Sequence, residues 1–235
     1  TYSYEYDSRY RMYLTKISDS FGYSSEIGNY DYKYGIPKDT KSMNGKYSYT
    51  TIDNMGRITS VKGPNEIHGQ PRDYTIKFEY YPTVTRNGQN IVSPAYAVTK
   101  HYDPQHPLDD METVTFVDGL GRVIQVKKDA AVSSGSGQTS EDVMIVSGRI
   151  KYDPFGREIE SYYPVTDVLN NRNVFKRSFD TIQPTVTEYD ELDRPYRITL
   201  PDETNTRWAY HKEDSSRSLV KYQMDAMGGE QAVFT

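Results

Sequence analysis

The sequence predicts an all-β chain of consecutive antiparallel hairpins joined into a strongly twisted sheet. Three observations lead there. Aromatic and apolar residues alternate with polar ones in short runs along the chain; no stretch keeps apolar residues at i, i+3, i+4 and i+7 for three helical turns; and one four-residue turn pattern recurs six times.

In chain order, the alternating runs begin with Tyr2, Tyr4 and Tyr6, continue with Tyr30, Tyr32 and Tyr34, and then with Tyr47 and Tyr49. Further on come Val114 with Phe116, Ile150 with Tyr152, Tyr196 with Ile198 and Leu200, and Thr206 with Trp208 and Tyr210. A period of two, built from aromatic and β-branched residues, describes strands with one buried face.

The turns between runs are Asp19-Ser20-Phe21-Gly22, Asp53-Asn54-Met55-Gly56, Asp118-Gly119-Leu120-Gly121, Asp153-Pro154-Phe155-Gly156, Asp190-Glu191-Leu192-Asp193 and Asp225-Ala226-Met227-Gly228. Asp at the first place of a type I turn bonds the backbone two residues on, and Gly at the fourth supplies the positive φ of a bulged hairpin. Asp193 fills the glycine place as a tolerable left-handed residue. An arginine follows in four copies, Arg57, Arg122, Arg157 and Arg194; Tyr23 and Gly229 replace it in the others. Three of these arginines have a proline seven residues later, Pro64, Pro164 and Pro201, placed to close the outgoing strand. The third turn residue is large and apolar in every copy, which predicts tips folded back and buried against the sheet or a neighbouring hairpin.

Two stretches interrupt the array. Residues 63–112 carry Gly, Pro, Asn and Asp punctuation and read as an irregular insertion, a long connection or degenerate repeat, with the turn signal Asn87-Gly88 near its middle. Residues 133–140 are Ser/Gly-rich and read as a flexible loop. The repeat resumes in phase after each, so residues 1–235 read as a single β-domain. The first residue is Thr1, which suggests an excised or processed piece, with an unpaired sheet edge at its termini.

Composition narrows the function. Leu, Ile, Val and Phe supply only 45 of 235 residues, and 23 tyrosines provide the missing apolar area while keeping a hydroxyl for hydrogen bonding. With 33 acidic and 28 basic residues the chain has no positive excess for phosphates, which argues against nucleic acid as a partner. No apolar run is long enough to span a membrane as a helix, and with no cysteine there is no disulfide, thiolate zinc site or thiol nucleophile.

Nothing in the pattern calls for catalysis, a metal or a cofactor. His101 and His106, near Asp103, Asp109 and Asp110, match no ligand spacing; His68 and His211 stand apart. The repeated aspartates could form a ladder of acid–base carboxylates, but turn capping already explains their place. The repeated arginines could grip anions, or cross the turn to the aspartate, or lie over a tyrosine ring. Gly119-Leu120-Gly121 lacks the rest of a dinucleotide loop, and no serine sits in a nucleophile elbow. Exposed tyrosines stacking on sugar rings are the one ligand reading kept.

Tyr152-Asp153-Pro154-Phe155-Gly156-Arg157 and Tyr189-Asp190-Glu191-Leu192-Asp193-Arg194 resemble the YD repeats of the Rhs family. The run Phe116-Val117-Asp118-Gly119-Leu120-Gly121-Arg122-Val123-Ile124-Gln125 more specifically resembles the B and C components of bacterial Tc insecticidal toxins. The resemblance implies a β-ribbon spiralling into a segment of a hollow shell that encloses a toxic C-terminal segment, in an exported or cell-surface bacterial protein. Its partners would be the remaining repeats of a longer chain, the enclosed segment and possibly glycans, and YD repeats have been linked to carbohydrate binding and adhesion. The family's self-cleavage motif is not matched: Arg157 follows Asp153-Pro154-Phe155-Gly156 where leucine is expected.

Overall fold

A computed structural model of the chain describes residues 1–67, 73–87, 90–133, 140–147, 149–178, 183–212, 219–225 and 227–234. Strands dominate. β1 (Tyr2–Tyr6) precedes the first predicted hairpin, β2 (Leu14–Asp19) with β3 (Ser24–Asp31); β4 (Ile36–Lys41) leads to the second, β5 (Tyr47–Ile52) with β6 (Ile58–Lys62). One helical turn, α1 (Pro64–Ile67), separates these from β7 (Ile76–Tyr81). The small hairpin β8 (Thr85–Asn87) and β9 (Asn90–Ser93) comes before β10 (Ala95–His101). The third predicted turn joins β11 (Met111–Val117) to β12 (Val123–Ser133), and β13 (Ser140–Ser147) follows. The fourth joins β14 (Ile150–Tyr152) to β15 (Glu158–Ser161). After β16 (Val165–Val168) and a 3-10 turn at Leu169–Asn171, the fifth joins β17 (Thr185–Tyr189) to β18 (Pro195–Thr199). β19 (Asn205–Lys212) leads to the sixth, β20 (Leu219–Met224) with β21 (Glu230–Phe234).

All six turns thus join paired strands where the pattern places them, and the three prolines each stand just beyond a strand end, after β6, β15 and β18. Next to three of the turns, at Thr51/Ile52, Lys151/Tyr152 and Glu188/Tyr189, the ladder slips by one residue. These are the bulges that a type I turn with a left-handed fourth residue requires.

The strands form two large sheets rather than the one expected. The order is β1-β2-β3-β4-β5-β6-β7-β10-β11-β12-β13-β16 in the first and β14-β15-β17-β18-β19-β20-β21 in the second, with β8-β9 apart. After β15 the chain leaves the second sheet, pairs β16 with β13 (Val146↔Val165, Met144↔Asp167), and returns to pair β17 with β15. Stretch 63–112 is also more regular than expected, because β7 and β10 are full members of the first sheet. Of the expected loop 133–140, residues 134–139 lie outside the described residues.

The chain divides into two compact units, Thr1–Tyr81 with Ala97–Thr113, and Pro82–Tyr96 with Val114–Thr235. In the first, Val98 and Tyr102 are buried, and Lys100 sits between Glu79 and Glu112 at 3.3 Å from each. In the second, Val114, Phe116, Val143, Met144 and Val146 form the core, with Phe116 packed against Tyr96 and Phe175. Two polar side chains are fully buried there, Gln125 and Lys127. Gln125 donates to the carbonyl of Lys176 and accepts from its amide, both at 2.9 Å, so the segment after β16 is tied down by its backbone.

Strand β1 departs from the expected half-buried pattern: Tyr2, Tyr4 and Tyr6 are all exposed, since β1 is an outermost strand with a neighbour on one side only. β21, in which the described residues end, is likewise outermost in its sheet. No helix among the described residues is long and apolar enough to cross a membrane.

Candidate functional site: a repeated aspartate–arginine–tyrosine joint

The six turns share one backbone geometry. The amide of the first residue donates to the carbonyl of the fifth, and the amide of the fourth donates back to the carbonyl of the first, as with Asp118, Arg122 and Gly121 at 2.9 and 3.1 Å. The fourth residue has positive φ throughout: Gly22, Gly56, Gly121, Gly156 and Gly228 between 77° and 90°, and Asp193 at 61°. That is the conformation in which glycine carries no steric penalty.

Each aspartate closes its turn with one oxygen. Oδ1 of Asp19, Asp53, Asp118, Asp153, Asp190 and Asp225 accepts the amides of the residues two and four positions on, at 2.7–3.0 Å. Where arginine follows, Oδ2 takes its guanidinium: Nε of Arg57, Arg122, Arg157 and Arg194 lies 2.7–2.8 Å from Asp53, Asp118, Asp153 and Asp190. These bonds hold the four carboxyls below the usual carboxylate range. At Asp53 the Arg57 amide is the largest cause and at Asp190 the Arg194 side chain, while at Asp118 and Asp153 burial pulls the other way and the hydrogen bonds outweigh it.

A face of each guanidinium lies on a tyrosine of a neighbouring strand. Arg57 stands 4.5 Å over Tyr80, Arg122 4.2 Å over Tyr152, Arg157 5.0 Å over Tyr189 and Arg194 4.2 Å over Tyr210. The same tyrosine hydroxyl donates to the carbonyl of the residue after that arginine, to Ile58 (2.7 Å), Val123 (3.3 Å), Glu158 (2.9 Å) and Pro195 (2.8 Å). Tyr152 and Tyr189 directly precede Asp153 and Asp190, so along the second unit one joint hands on to the next turn. Arg157 reaches further, placing Nη1 2.7 Å from Asp193 of the following turn. Burial pushes the Tyr80, Tyr189 and Tyr210 hydroxyls up, which keeps them protonated as donors.

The tips are not buried. Phe21, Met55, Leu120, Phe155, Leu192 and Met227 are 69–96% exposed, which corrects the expectation that they fold back. The carboxylate fixes the turn from inside by bonding the amide of the tip residue, so the backbone holds its shape while the side chain projects past the last paired residues.

Turns of the same geometry without the aspartate signature escaped the sequence pattern. Ser42 to Lys46 repeats it with a serine hydroxyl in the carboxylate's place, and Leu200 to Thr204 repeats it with Glu203 at φ 67°. The β1–β2 loop is built on buried Asp7, which accepts the amides of Tyr10, Met12 and Tyr13. Nearby, Tyr32 packs edge to face on Tyr10 and Tyr13, and Tyr30 lies tilted against Tyr13, with Arg9 over Tyr10 and Tyr32. His106 pairs with Asp103 at 2.7 Å on the surface, and no group of three metal-ligating side chains occurs among the described residues. His68 lies outside the described residues.

Residues 90–185 match the family described as "Domain of unknown function (DUF6443)". Among solved structures the chain is similar to TcdB2-TccC3, with a TM-score of 0.70 and 16% identity over 99% of this chain and 14% of that one. It is also similar to the Tc holotoxin pore of Photorhabdus luminescens (TM-score 0.68, 15% identity, 99% and 16% of the two chains). The match to TcdB2-TccC3 without its hypervariable C-terminal region has a TM-score of 0.65 and 13% identity, over 97% and 16%. The chain therefore spans about one seventh of the length of those it matches. No curated protein matches it. The fold is that of the Tc toxin structures it matches, in agreement with the resemblance read from the turns.

Proposed function

We propose that this Rhs/Tc-like chain is a stretch of the wall of a toxin-associated β-shell, a structural element that acts on no substrate. The observation that carries this reading is the joint: among the described residues, the repeated carboxylates and guanidiniums are taken up in shaping each turn and, where arginine follows, in fastening it to the next strand. Asp118, Asp153 and Asp190 spend both carboxylate oxygens inside their own turns, and Arg122, Arg157 and Arg194 are engaged at one edge by the carboxylate and on one face by a ring. A wall made this way resists local opening, which suits sequestration of a harmful C-terminal segment in an exported or cell-surface protein. Its partners are then further repeats of a longer chain and the segment enclosed by them.

Limited proteolysis of the full-length protein tests the reading. A C-terminal segment that survives while the shell is folded, and is digested once the shell is unfolded, supports it. Digestion at the rate of the same segment produced alone overturns it.

A second reading, a carbohydrate-binding or cell-surface adhesion module, draws on the half-exposed Tyr47 and Tyr49, stacked in parallel 6.2 Å apart, and on the exposed tyrosines of β1. Saturable binding on a glycan array that is lost in Tyr47→Ala and Tyr49→Ala favours it; no binding removes it.

A further inference from the structure

Lys127 and Asp167 form a polar pair that the joints do not use. They stand two strands apart, diagonally across β13: Lys127 pairs with Val146, and Asp167 with Met144. The Lys127 side chain is fully buried, Asp167 nearly so, and Met144 and Val146 beside them are inaccessible to water. Nζ lies 2.7 Å from Oδ2 of Asp167 and 2.8 Å from the carbonyl of Asn171, which accepts a second proton and fixes the nitrogen's direction. The other carboxylate oxygen, Oδ1, has three donors around it: the amide of Val168 at 3.1 Å, the Asn171 side-chain amide at 3.4 Å and the Lys176 ammonium at 3.4 Å.

We propose that Lys127 and Asp167 are the site of an intramolecular isopeptide bond that welds β12 to β16. A nucleophile is held against one oxygen of a carboxyl group whose other oxygen is surrounded by donors, as acyl transfer requires. The amine is fully buried, the acid nearly so, and the reaction is unimolecular, so the usual cost of bringing amine and acid together is already met by folding.

The step balances within the pair. One proton passes along the hydrogen bond from Nζ to Oδ2, turning the ion pair into a neutral pair of amine and acid. Burial pushes the Lys127 amine down and so favours that transfer. At Asp167 burial acts toward the neutral acid, but the hydrogen bonds from Lys127 and Asn171 and the Lys127 and Lys176 charges together outweigh it, so the ionic form is the starting state. The Nζ lone pair then attacks Cγ, and Oδ1 carries the negative charge facing Val168, Asn171 and Lys176. A second proton moves from Nζ to Oδ2, the Cγ–Oδ2 bond breaks, and water leaves. An amide N–H remains, and nothing is oxidised or reduced.

Mass spectrometry of the whole chain tests this. After prolonged incubation of the folded protein at neutral pH, followed by denaturation, the expected mass is that of the sequence less one water. A digest should contain a branched peptide joining Lys127 to Asp167. Lys127→Arg should return the mass to that of the full sequence. A full-sequence mass with both residues recovered unmodified overturns the proposal and leaves an ordinary buried ion pair. Water loss that persists in Lys127→Arg also overturns it, because the dehydration then lies elsewhere. The branched peptide from the parent chain decides the question even if the arginine variant fails to fold.

Discussion

The guanidinium of Arg122 lies 4.2 Å over the ring of Tyr152 while its Nε and Nη2 hold Asp118 at 2.7 Å. One side chain therefore completes its own turn and fastens that turn to the strand entering the next. Both partners are less than one third exposed, so solvent screens the pair only in part.

Arg122→Ala should lower stability by about 1–2 kcal/mol, the sum of a partly screened ion pair and a cation–π contact. Arg122→Lys should recover less than half of this, because an ammonium cannot bridge a carboxylate edge-on and cover a ring at once. Urea titrations of the two variants beside the parent read both effects.

The exposed tips should tolerate change. Leu120→Ser and Phe155→Ser are expected to stay within about 0.5 kcal/mol of the parent, as surface substitutions do. A loss of several kcal/mol in thermal melts would mean that a neighbour covers them.

The fourth turn position should discriminate by backbone, not volume. Gly121 has φ 77° with open space where a Cβ would go, so Gly121→Val should cost roughly 1–3 kcal/mol through strain alone. Gly121→Asn should cost much less, since Asp193 already occupies the equivalent place at φ 61°. Gly56→Ala adds a collision of its Cβ with the Tyr34 ring to the strain, and should be the worse of the two sites. Unfolding midpoints of the three variants give the order.

Acid should loosen the turns in a defined window. The Asp118 carboxyl is held below its ordinary value of 3.8 by hydrogen bonds from Arg122 and Leu120 that outweigh burial. Its stabilisation is thus fully present above the unfolded value and disappears as pH falls through the lower folded one. Asp118→Asn should be less stable than the parent near neutrality, and its stability should fall less steeply below about pH 4. Parallel slopes in urea midpoints against pH would remove Asp118 from the acid response.

The buried amide should matter more than any surface joint. Gln125→Ala strands both the amide and the carbonyl of Lys176 and should cost about 2–6 kcal/mol, at roughly 1–3 for each group left unpaired. Hydrogen exchange should then quicken first between β16 and β17.

What the sequence disclosed and what it hid follow from the range of the forces involved. Turn chemistry is local: Asp at the first place and Gly at the fourth define the backbone within five residues, and all six hairpins fall where those letters stand. Prolines 64, 164 and 201 mark strand ends for the same reason. The excursion of β16 is non-local, since Lys127 meets Asp167 and Gln125 meets Lys176 across long separations that carry no spacing signature. The partners Tyr80, Tyr152, Tyr189 and Tyr210 stand at varying distances from their arginines, so the pattern showed the arginine but not which ring it covers. The tips were misread because a large apolar residue normally signals burial, whereas here a carboxylate inside the turn supplies the order that burial would have given. Ser42 and Leu200 head turns of the same backbone shape without an aspartate, beyond the reach of a pattern built on one.

The joint also bears on how such a chain changes length over generations. Each fastening rests on the arginine of one turn and a tyrosine on a nearby strand, to which Arg157 adds a contact with Asp193 of the following turn. A duplicated or deleted hairpin that keeps those two letters finds its complement at either seam, so the array can grow or shrink by whole units. Where the arginine is missing, at Tyr23 and Gly229, the aspartate still shapes its turn but offers no such seam.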